Sequence, residues 1–515
     1  MPTRMLPITV LGPGWKGLNT QNIVSEDPTF AIKATNCVID TSGRLAARKG
    51  WTAITSTPIG STPDVDKIYE HIDAEGTSTI ISSANNVLYS GTTTLTSILG
   101  SLTPSTDNWK FQRFNGKVVG WADGEAPIVW TGTGNFAAIT AAGSGTVPNG
   151  EEVLSAFGRL WATSSATDKT LIRYSDILDE TTWDDSASPG DSGSLDMLNV
   201  QGWGQDTVVA IREHNNFLVV FGKRNIAIYK GAWNPNNTGL SHVDAEFELV
   251  DIISGTGAYS RDTVVSIGTD IIFLSDSGVR SLQRTIQEKS LPMTEISKNV
   301  RDDLLINLGG ETDVTVEMEF SEAEGFILLN MKTSGIIYVF DVRAPLQDGS
   351  YRTTKWENIE PTAMYAARDG TLYLGQAGVV AKYDSYQDDA TAYFLDFRSS
   401  WFSLTDEAQN KYKIPKSARA LVFAGGGYDL NLRTFYDYSD QYSQATTTIP
   451  AGGVSEFGIA EFGEDEFNSL GDNNELDFNP IGFGRTLQFG FYVQINGNAF
   501  GVHRLIYLIK LGREA

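Results

Sequence analysis

Residues 324–341 read EGFILLNMKTSGIIYVFD. Two runs of strand-forming residues, rich in Ile, Leu, Val and aromatics, flank a short turn with Gly335 at its end. That is the chemistry of a β-hairpin, in which small polar residues take the turn and bulky ones the pleated arms. The same unit recurs on both sides. Upstream it appears as NNVLYSGTTTLTSI from Asn85, NGKVVGWADGEAPIVWTG from Asn115, FGRLWATSSATDKTLIRYSD from Phe157, NNFLVVFGKRNIAIYKG from Asn215 and TDIIFLSDSGVRSL from Thr269. Downstream it appears as DGTLYLGQAGVVAKYD from Asp369. Aligned on Asn86, Gly116, Gly158, Asn216, Asp270, Gly325 and Gly370, the units have a mean period of about 47 residues, in the range of four-stranded propeller blades. The predicted fold is all-β: a degenerate six- or seven-bladed β-propeller. An irregular set of β-sandwiches is the competing arrangement.

Composition agrees with a sheet-rich fold. The chain has 515 residues, with 51 Gly, 25 Phe, 19 Tyr and 11 Trp, and 41% of it is hydrophobic. That length exceeds one ordinary domain. Three segments are expected: residues 1–55 as an N-terminal docking or ring-closing segment, 56–390 as the propeller, and 391–515 as a C-terminal β-domain. The last boundary rests on a composition shift, since Thr434 to Gly484 contains neither Lys nor Arg. One amphipathic helix is expected within the propeller, at PMTEISKNVRDDLLINLGG from Pro292. There Ile296, Val300 and Leu304 recur at i, i+4 and i+8, with Thr294 as N-cap and Gly309 as terminator.

Few residues carry a recognisable chemical motif. Cys37 is the sole cysteine, which excludes an intrachain disulfide and a Cys-based zinc site. His71, His214, His242 and His503 have no metal-ligand spacing and read as ordinary surface or half-buried residues. There is no G-x-S-x-G elbow and no Walker A lysine. LSDSGVRSL, from Leu274, lacks the residue order of a sialidase Asp box and reads as a hairpin turn. DNNELD, from Asp472, has oxygen ligands but not EF-hand spacing, and reads as a solvated loop. No cofactor or metal is expected, and no enzyme activity. No stretch approaches a membrane span, and the N-terminus lacks the apolar run of a signal peptide, so the chain is expected to be soluble and made in the cytoplasm.

Charge carries more information. The formal net charge is −24, from 63 acidic and 39 basic residues. This disfavours a protein that grips nucleic-acid phosphates, though not one that DNA passes without adhering. SEFGIAEFGEDEFNSLGDNNELDF holds eight acidic residues between Glu456 and Asp477, interleaved with phenylalanines. Glu456, Phe457, Phe462, Glu464, Asp465, Glu466 and Phe467 are the candidate gate of a channel; an outer, solubilising loop is the alternative. Arg44, Arg48 and Lys49 gather cations in an acidic chain. They are candidates for docking an acidic neighbour, or a solvated strand edge.

The opening GWKGLNTQNIVSEDPTFAIKATNCVIDTSGRLAARKGW resembles that of tail nozzle, or packaged-DNA stabilisation, proteins of short-tailed bacteriophages. The matching positions are Gly17, Asn19, Thr20, Asn36, Gly43, Arg48 and Gly50. The likeness continues, in order, through FLVVFGKRNIAIYKG, FLSDSGVRSL, EISKNVRDDL and FGIAEFGEDEF to the final GFGRTLQFGFYVQINGNAFGVHRLIYLIKLGR. It implies a homohexameric ring at the tail tip of the virion, below an adaptor protein. It also implies surfaces for fibres or spikes, and a channel that retains genomic DNA and passes it on ejection without sequence-specific binding. The competing reading is a glycan-binding or glycoside-cleaving propeller, for which Trp183, Trp203 and Trp233 are candidate sugar contacts.

Overall fold

The computed structural model describes residues 5–10, 14–22, 27–143, 145–184, 192–231, 247–283, 295–404, 410–449 and 472–514. Among them the repeating unit is a four-stranded antiparallel meander. The first blade comprises Lys67–Ile72, Ser78–Ala84, Val87–Ser90 and Thr96–Ser97. The second runs from Lys110–Phe114 to Ala137–Ala138, the third from Val153–Ala156 to Gly193–Asp196, and the fourth from Val208–His214 to Phe247–Ser254. The fifth shows three strands among the described residues, Val264–Ser266, Ile271–Ser275 and Gly278–Ser281. The sixth spans Val316–Ser321 to Arg352–Glu357. The seventh contains Ala363–Ala366, Leu372–Gln376 and Val379–Tyr383, and takes its fourth strand, Trp51–Ala53, from the N-terminal segment.

These sheets close into a ring because each pair of neighbours shares an apolar core. Leu88 and Ile81 of the first blade pack with Phe111 and Val118 of the second. Val119 meets Leu160 between the second and third, Trp161 meets Leu218 between the third and fourth, and Phe221 meets Phe273 between the fourth and fifth. Ile272 and Leu274 of the fifth join Ile327 and Leu329 of the sixth. Leu328 joins Leu374 of the seventh, and Val380 joins Ile68 and Ile80 of the first. Among the described residues the ring therefore has seven blades, which decides between the expected six and seven.

The hairpin turns explain why the repeat was visible. Asn85 and Asn86, Asn115 and Gly116, Phe157 and Gly158, and Asn215 and Asn216 all have positive φ at both central positions. That is the type I′ geometry that matches strand twist, and Asn and Gly tolerate it best. The seven recurring turns are not all equivalent in their blades. Gly116 and Gly158 lie between the first and second strands of their blades, whereas Asn86 lies between the second and third. The equivalent turn of the first blade is at Asp73–Thr77, where Gly76 has φ +89°.

The expected helix is shorter than its apolar stripe. Ile296, Val300, Leu304 and Leu308 are all buried, but α-helix covers only Arg301–Leu308, preceded by a 3-10 turn at Lys298–Val300. Thr294 lies outside the described residues. Gly309 does end the helix, its N–H returning to the Leu305 carbonyl.

The remaining strands form a β-sandwich assembled from both ends of the chain. One sheet runs in the order Asp472–Phe478, Lys411–Ala424, Phe500–Glu514, Leu45–Ala47 and Cys37–Ile39, with Met5–Val10 also paired to Phe500–Glu514. The other runs Phe30–Thr35, Tyr393–Ser399, Leu487–Ile495, Tyr428–Tyr436 and Tyr442–Ile449. Their inner faces bury Leu395, Phe397, Val422, Leu432, Phe491 and Val502. A single parallel pairing of Lys355 with Thr35 joins this second sheet to the outer strand of the sixth blade. The N-terminal segment thus contributes strands to the sandwich and to the seventh blade.

Asp472–Phe478, expected as loop, is an edge strand paired with Ala418–Ala424. Its period-two pattern decides this: Leu476 and Phe478 turn inward while Asp477 and Glu475 stay outside, where both meet Arg419.

Candidate functional site

The first strands of successive blades surround the propeller axis, so their inward side chains define what the axis can admit. Several charged groups gather there, and most of them are paired. Asp262, on a 3-10 turn that precedes the fifth blade, reaches across to the first and second. Its carboxylate accepts from Lys67 Nζ at 2.8 Å and lies 3.3 Å from Lys110 Nζ. Its neighbour Arg261 donates to the carbonyl of Asn108 at 2.6 Å and also to the carbonyl of Glu151. Arg212 joins Glu152 at 2.5 Å and the Arg261 carbonyl at 2.6 Å. Lys332 approaches Glu317 at 3.4 Å. One turn from the fifth blade is in this way tied to three blades on the far side of the axis.

The electrostatics follow from this crowding. Burial alone would raise the Asp262 carboxyl, but Lys67, Arg261 and Lys110 together hold it well below the usual range. Burial and the nearby Arg212 push Lys110 down, with Asp262 and Glu152 opposing. Beside this cluster is a cavity of about 230 Å³, lined by Tyr69, Gln112, Glu317, Glu319 and Tyr365 among others. Glu319 accepts from the Ala366 N–H at 2.9 Å. Burial, reinforced by the like charge of Glu317, pushes its carboxyl up to about 7.

Glu319 sets a testable pH dependence. A carboxyl whose folded pKa is raised binds its proton more tightly when folded, so stability falls as pH rises from about 4.5 through about 7. Glu319→Gln keeps the acceptor for Ala366 and removes the charge. It is expected to stabilise the protein by about 1–3 kcal/mol at pH 8 and to have little effect at pH 4.5. Urea unfolding at the two pH values measures this; an equal effect at both would show that Glu319 ionisation is not coupled to folding.

The cationic triplet from the N-terminal segment does not form one surface. Arg48 is fully buried, and its guanidinium forks onto Asp388 at 2.7 and 2.8 Å. It donates through Nε to Asn36 Oδ1 at 3.0 Å and lies over the Tyr393 ring, 4.1 Å from its centroid. It is an internal tie and is not presented to a neighbour. Arg44 pairs with Asp40 at 2.5 Å and covers Phe423, while Lys49 pairs with Glu324 at 2.5 Å. Those two line one cavity of about 220 Å³ with Arg343 and Tyr386. The candidate gate residues Glu456, Phe457, Phe462, Glu464, Asp465, Glu466 and Phe467 lie outside the described residues.

Other sequence candidates resolve simply. Trp183 and Trp203 are core side chains, each about 1% exposed, and Trp233 lies outside the described residues. His71 is buried edge-on to Trp130, against the expectation of a surface or half-buried position. Cys37 is buried, which pushes its thiol up. Ser275 to Gly278 make the expected hairpin turn. No group of three or more His, Cys, Asp or Glu among the described residues is arranged to hold a metal ion. No described helix is long and apolar enough to cross a membrane. The axial cluster escaped sequence reading because Lys67, Lys110, Glu152, Arg212, Asp262 and Glu317 are scattered over the whole propeller, with no spacing to mark them.

No protein-family model matches the chain, and no curated protein matches it. Among solved structures it is similar to the extracellular domain of the putative one component system BT4673 from B. thetaiotaomicron, at 13% identity, over 78% of this chain and 46% of that one, with a TM-score of 0.40. The chain therefore spans less than half the length of that domain. It is also similar to the WD40 β-propeller domain of Doa1, at 11% identity, over 65% of this chain and 96% of that one, TM-score 0.38. The WD40 domain of Neurospora crassa Pan2 gives 9% identity over 66% and 95%, TM-score 0.38.

Proposed function

We propose that this chain is a structural subunit of a short-tailed phage tail tip, a nozzle whose copies ring a channel for genomic DNA. The observation that carries the reading is the ordered series of sequence motifs, from Gly17 to the final strand. Its N-terminal positions coincide with joints of the fold. Gly17 has φ +78°, and a Cβ there would meet the Thr353 backbone at 2.6 Å. A Cβ on Gly50 would meet the Gln387 carbonyl at 1.8 Å. Asn36, also at positive φ, bonds through its side chain to Arg48, Glu357 and Phe394. These are residues that hold the N-terminal segment to the rest of the molecule.

The axial cluster bears on how DNA would pass. Seven blades tied across their axis by Arg261 and Asp262 leave no bore for a duplex within one subunit. The conduit is therefore the space between copies. Six copies at −24 each give a ring of formal charge 6 × (−24) = −144, which favours weak contact with phosphates along the wall. An adaptor above, and fibres or spikes around, are the partners this reading implies. The burial of Trp183 and Trp203 removes two of the three sugar contacts on which the competing propeller reading drew.

Electron microscopy of the purified protein, alone and on assembled tails, tests the proposal. The expected result is a sixfold ring with a central pore at the tail tip. Monomers in solution together with absence from the particle would overturn it. A second measurement addresses the gate: replacing Glu464, Asp465 and Glu466 with Ser is expected to alter DNA retention or ejection in assembled particles. Unchanged retention and ejection would place that stretch away from the channel.

A further inference from the structure

Where the sandwich meets the propeller there is a crevice of about 520 Å³, and nothing in the tail-tip reading uses it. Its floor is the outer face of the second sandwich sheet. Cross-strand pairing puts Thr35, Asp396, Tyr492 and Asn431 in one row on that face, and Phe394 beside Gln494 in the next. Its wall comes from the sixth and seventh blades: Glu357 to Glu360, Gln376, and Trp51 of the ring-closing strand. Clefts between domains, with a few convergent polar groups on an apolar base, are common ligand sites, and this volume is in their range.

Three features of the crevice point to the same class of ligand. The first is an aromatic platform. Phe394 is 44% exposed, and its ring is nearly parallel to that of Tyr492, at 16° and 5.0 Å between centroids. Arg433 lies over Tyr492 at 4.0 Å and fixes it. An aromatic face carries partial negative charge, which suits the electropositive C–H face of a pyranose ring. The second is an orphaned acceptor. Asp396 is 8% exposed; Oδ2 takes Lys33 at 2.7 Å, while the buried Oδ1 has no hydrogen-bond partner. A buried acceptor left unmade is costly, and the Asp396 carboxylate lines the crevice, so a small rotation would bring Oδ1 to a ligand hydroxyl. The third is the rim, where Glu357, Glu360, Asn358 and Gln376 supply planar acceptors and amides. Asn358 and Glu360, both lining the crevice, are held at positive φ, at 64° and 38°.

We infer that this crevice binds a saccharide, one ring stacked on Phe394 and its hydroxyls shared between Asp396, Lys33 and the Glu357–Glu360 rim. A polyamine or a lysine-rich segment would use the carboxylates but not the platform. A purely apolar ligand would leave the carboxylates unmatched.

Saturation-transfer NMR on the full chain tests this with lactose, maltotriose, chitotriose and mannotriose, and with spermidine as the cation control. At least one saccharide is expected to show contact from its ring protons, with a Kd in the millimolar range or tighter. Phe394→Ala removes an exposed ring, so the fold is expected to survive, and binding is expected to fall at least tenfold. Asp396→Asn keeps the shape and is expected to weaken binding severalfold. The assignment is overturned if none of the four saccharides binds, if Phe394→Ala binds as well as the natural chain, or if spermidine binds and the saccharides do not. Ring assembly does not enter this measurement, so its outcome is separable from that of the tail-tip proposal.

Discussion

Replacing Arg48 with Ala is expected to destabilise the protein by about 3–5 kcal/mol, the range for removing one partner of a buried ion pair. The Arg48 side chain has no exposed surface, and the Asp388 side chain is only about 10% exposed. Without the guanidinium, Asp388 keeps its charge in a site that water reaches poorly, and Asn36 Oδ1 and the Lys49 carbonyl each lose a donor. The stack on Tyr393 is lost as well. Arg48→Lys is expected to recover only part of the loss, because an ammonium cannot fork onto both carboxylate oxygens. Denaturant unfolding of the three proteins checks this. Hydrogen exchange adds a local readout: Trp51–Ala53 and its partner Val379–Tyr383 should exchange faster in the variant, since Arg48 sits just before the strand that closes the ring. A loss under 1 kcal/mol for Arg48→Ala would show that this tie does not hold the closure.

The second large effect is expected at the axis. Asp262→Asn leaves Lys67, Lys110 and Arg261 converging without their counter-charge, and a loss of about 3–5 kcal/mol is expected at pH 7. The sign of its pH dependence is fixed by the direction of the shift. A carboxyl held below its unfolded value stabilises above that unfolded value, near 3.9, and the contribution disappears as pH falls through the folded value. The natural chain should therefore lose stability steeply in acid, and Asp262→Asn should show a flatter profile there. Replacing Lys67 and Lys110 with Met in the Asp262→Asn background should restore part of the loss, because the stranded cations are then gone. If it restores nothing, the cost lies in packing and not in charge.

Sequence and structure agree most where the information is local. A two-residue turn needs positive φ at both positions, and Asn115–Gly116 or Asn215–Asn216 announces this directly. The blade count is less legible, because the Asn86 turn is the second hairpin of its blade and the seventh blade borrows its outer strand from Trp51–Ala53. The stripe Ile296, Val300, Leu304 identified a buried face correctly but not the backbone, since a 3-10 turn occupies part of it. DNNELD hid its strand because its inward residues are so few. Arg48's burial is illegible in the sequence for a physical reason: cations are rarely buried, and the Asp388 that makes burial tolerable lies 340 residues away. The same distance problem concealed the axial cluster and the crevice, which are built from residues that share a neighbourhood only after folding.

The pairing of Met5–Val10 with Phe500–Glu514 also sets a schedule. A ribosome adding roughly 5–20 residues per second takes on the order of 25–100 s to separate the making of those two strands. Throughout that interval Met5–Val10 has no partner, and Trp51–Ala53 waits until Val379–Tyr383 is made. Such long-range pairings make folding slow and leave sheet edges open to wrong neighbours. A circularly permuted chain, with its ends moved to the Asp73–Thr77 turn and the original ends joined, would make the two strands one after the other. The cut in turn makes Lys67–Ile72 and Ser78–Ala84 the new end-to-end pair, so the wait moves to the first blade and is not removed.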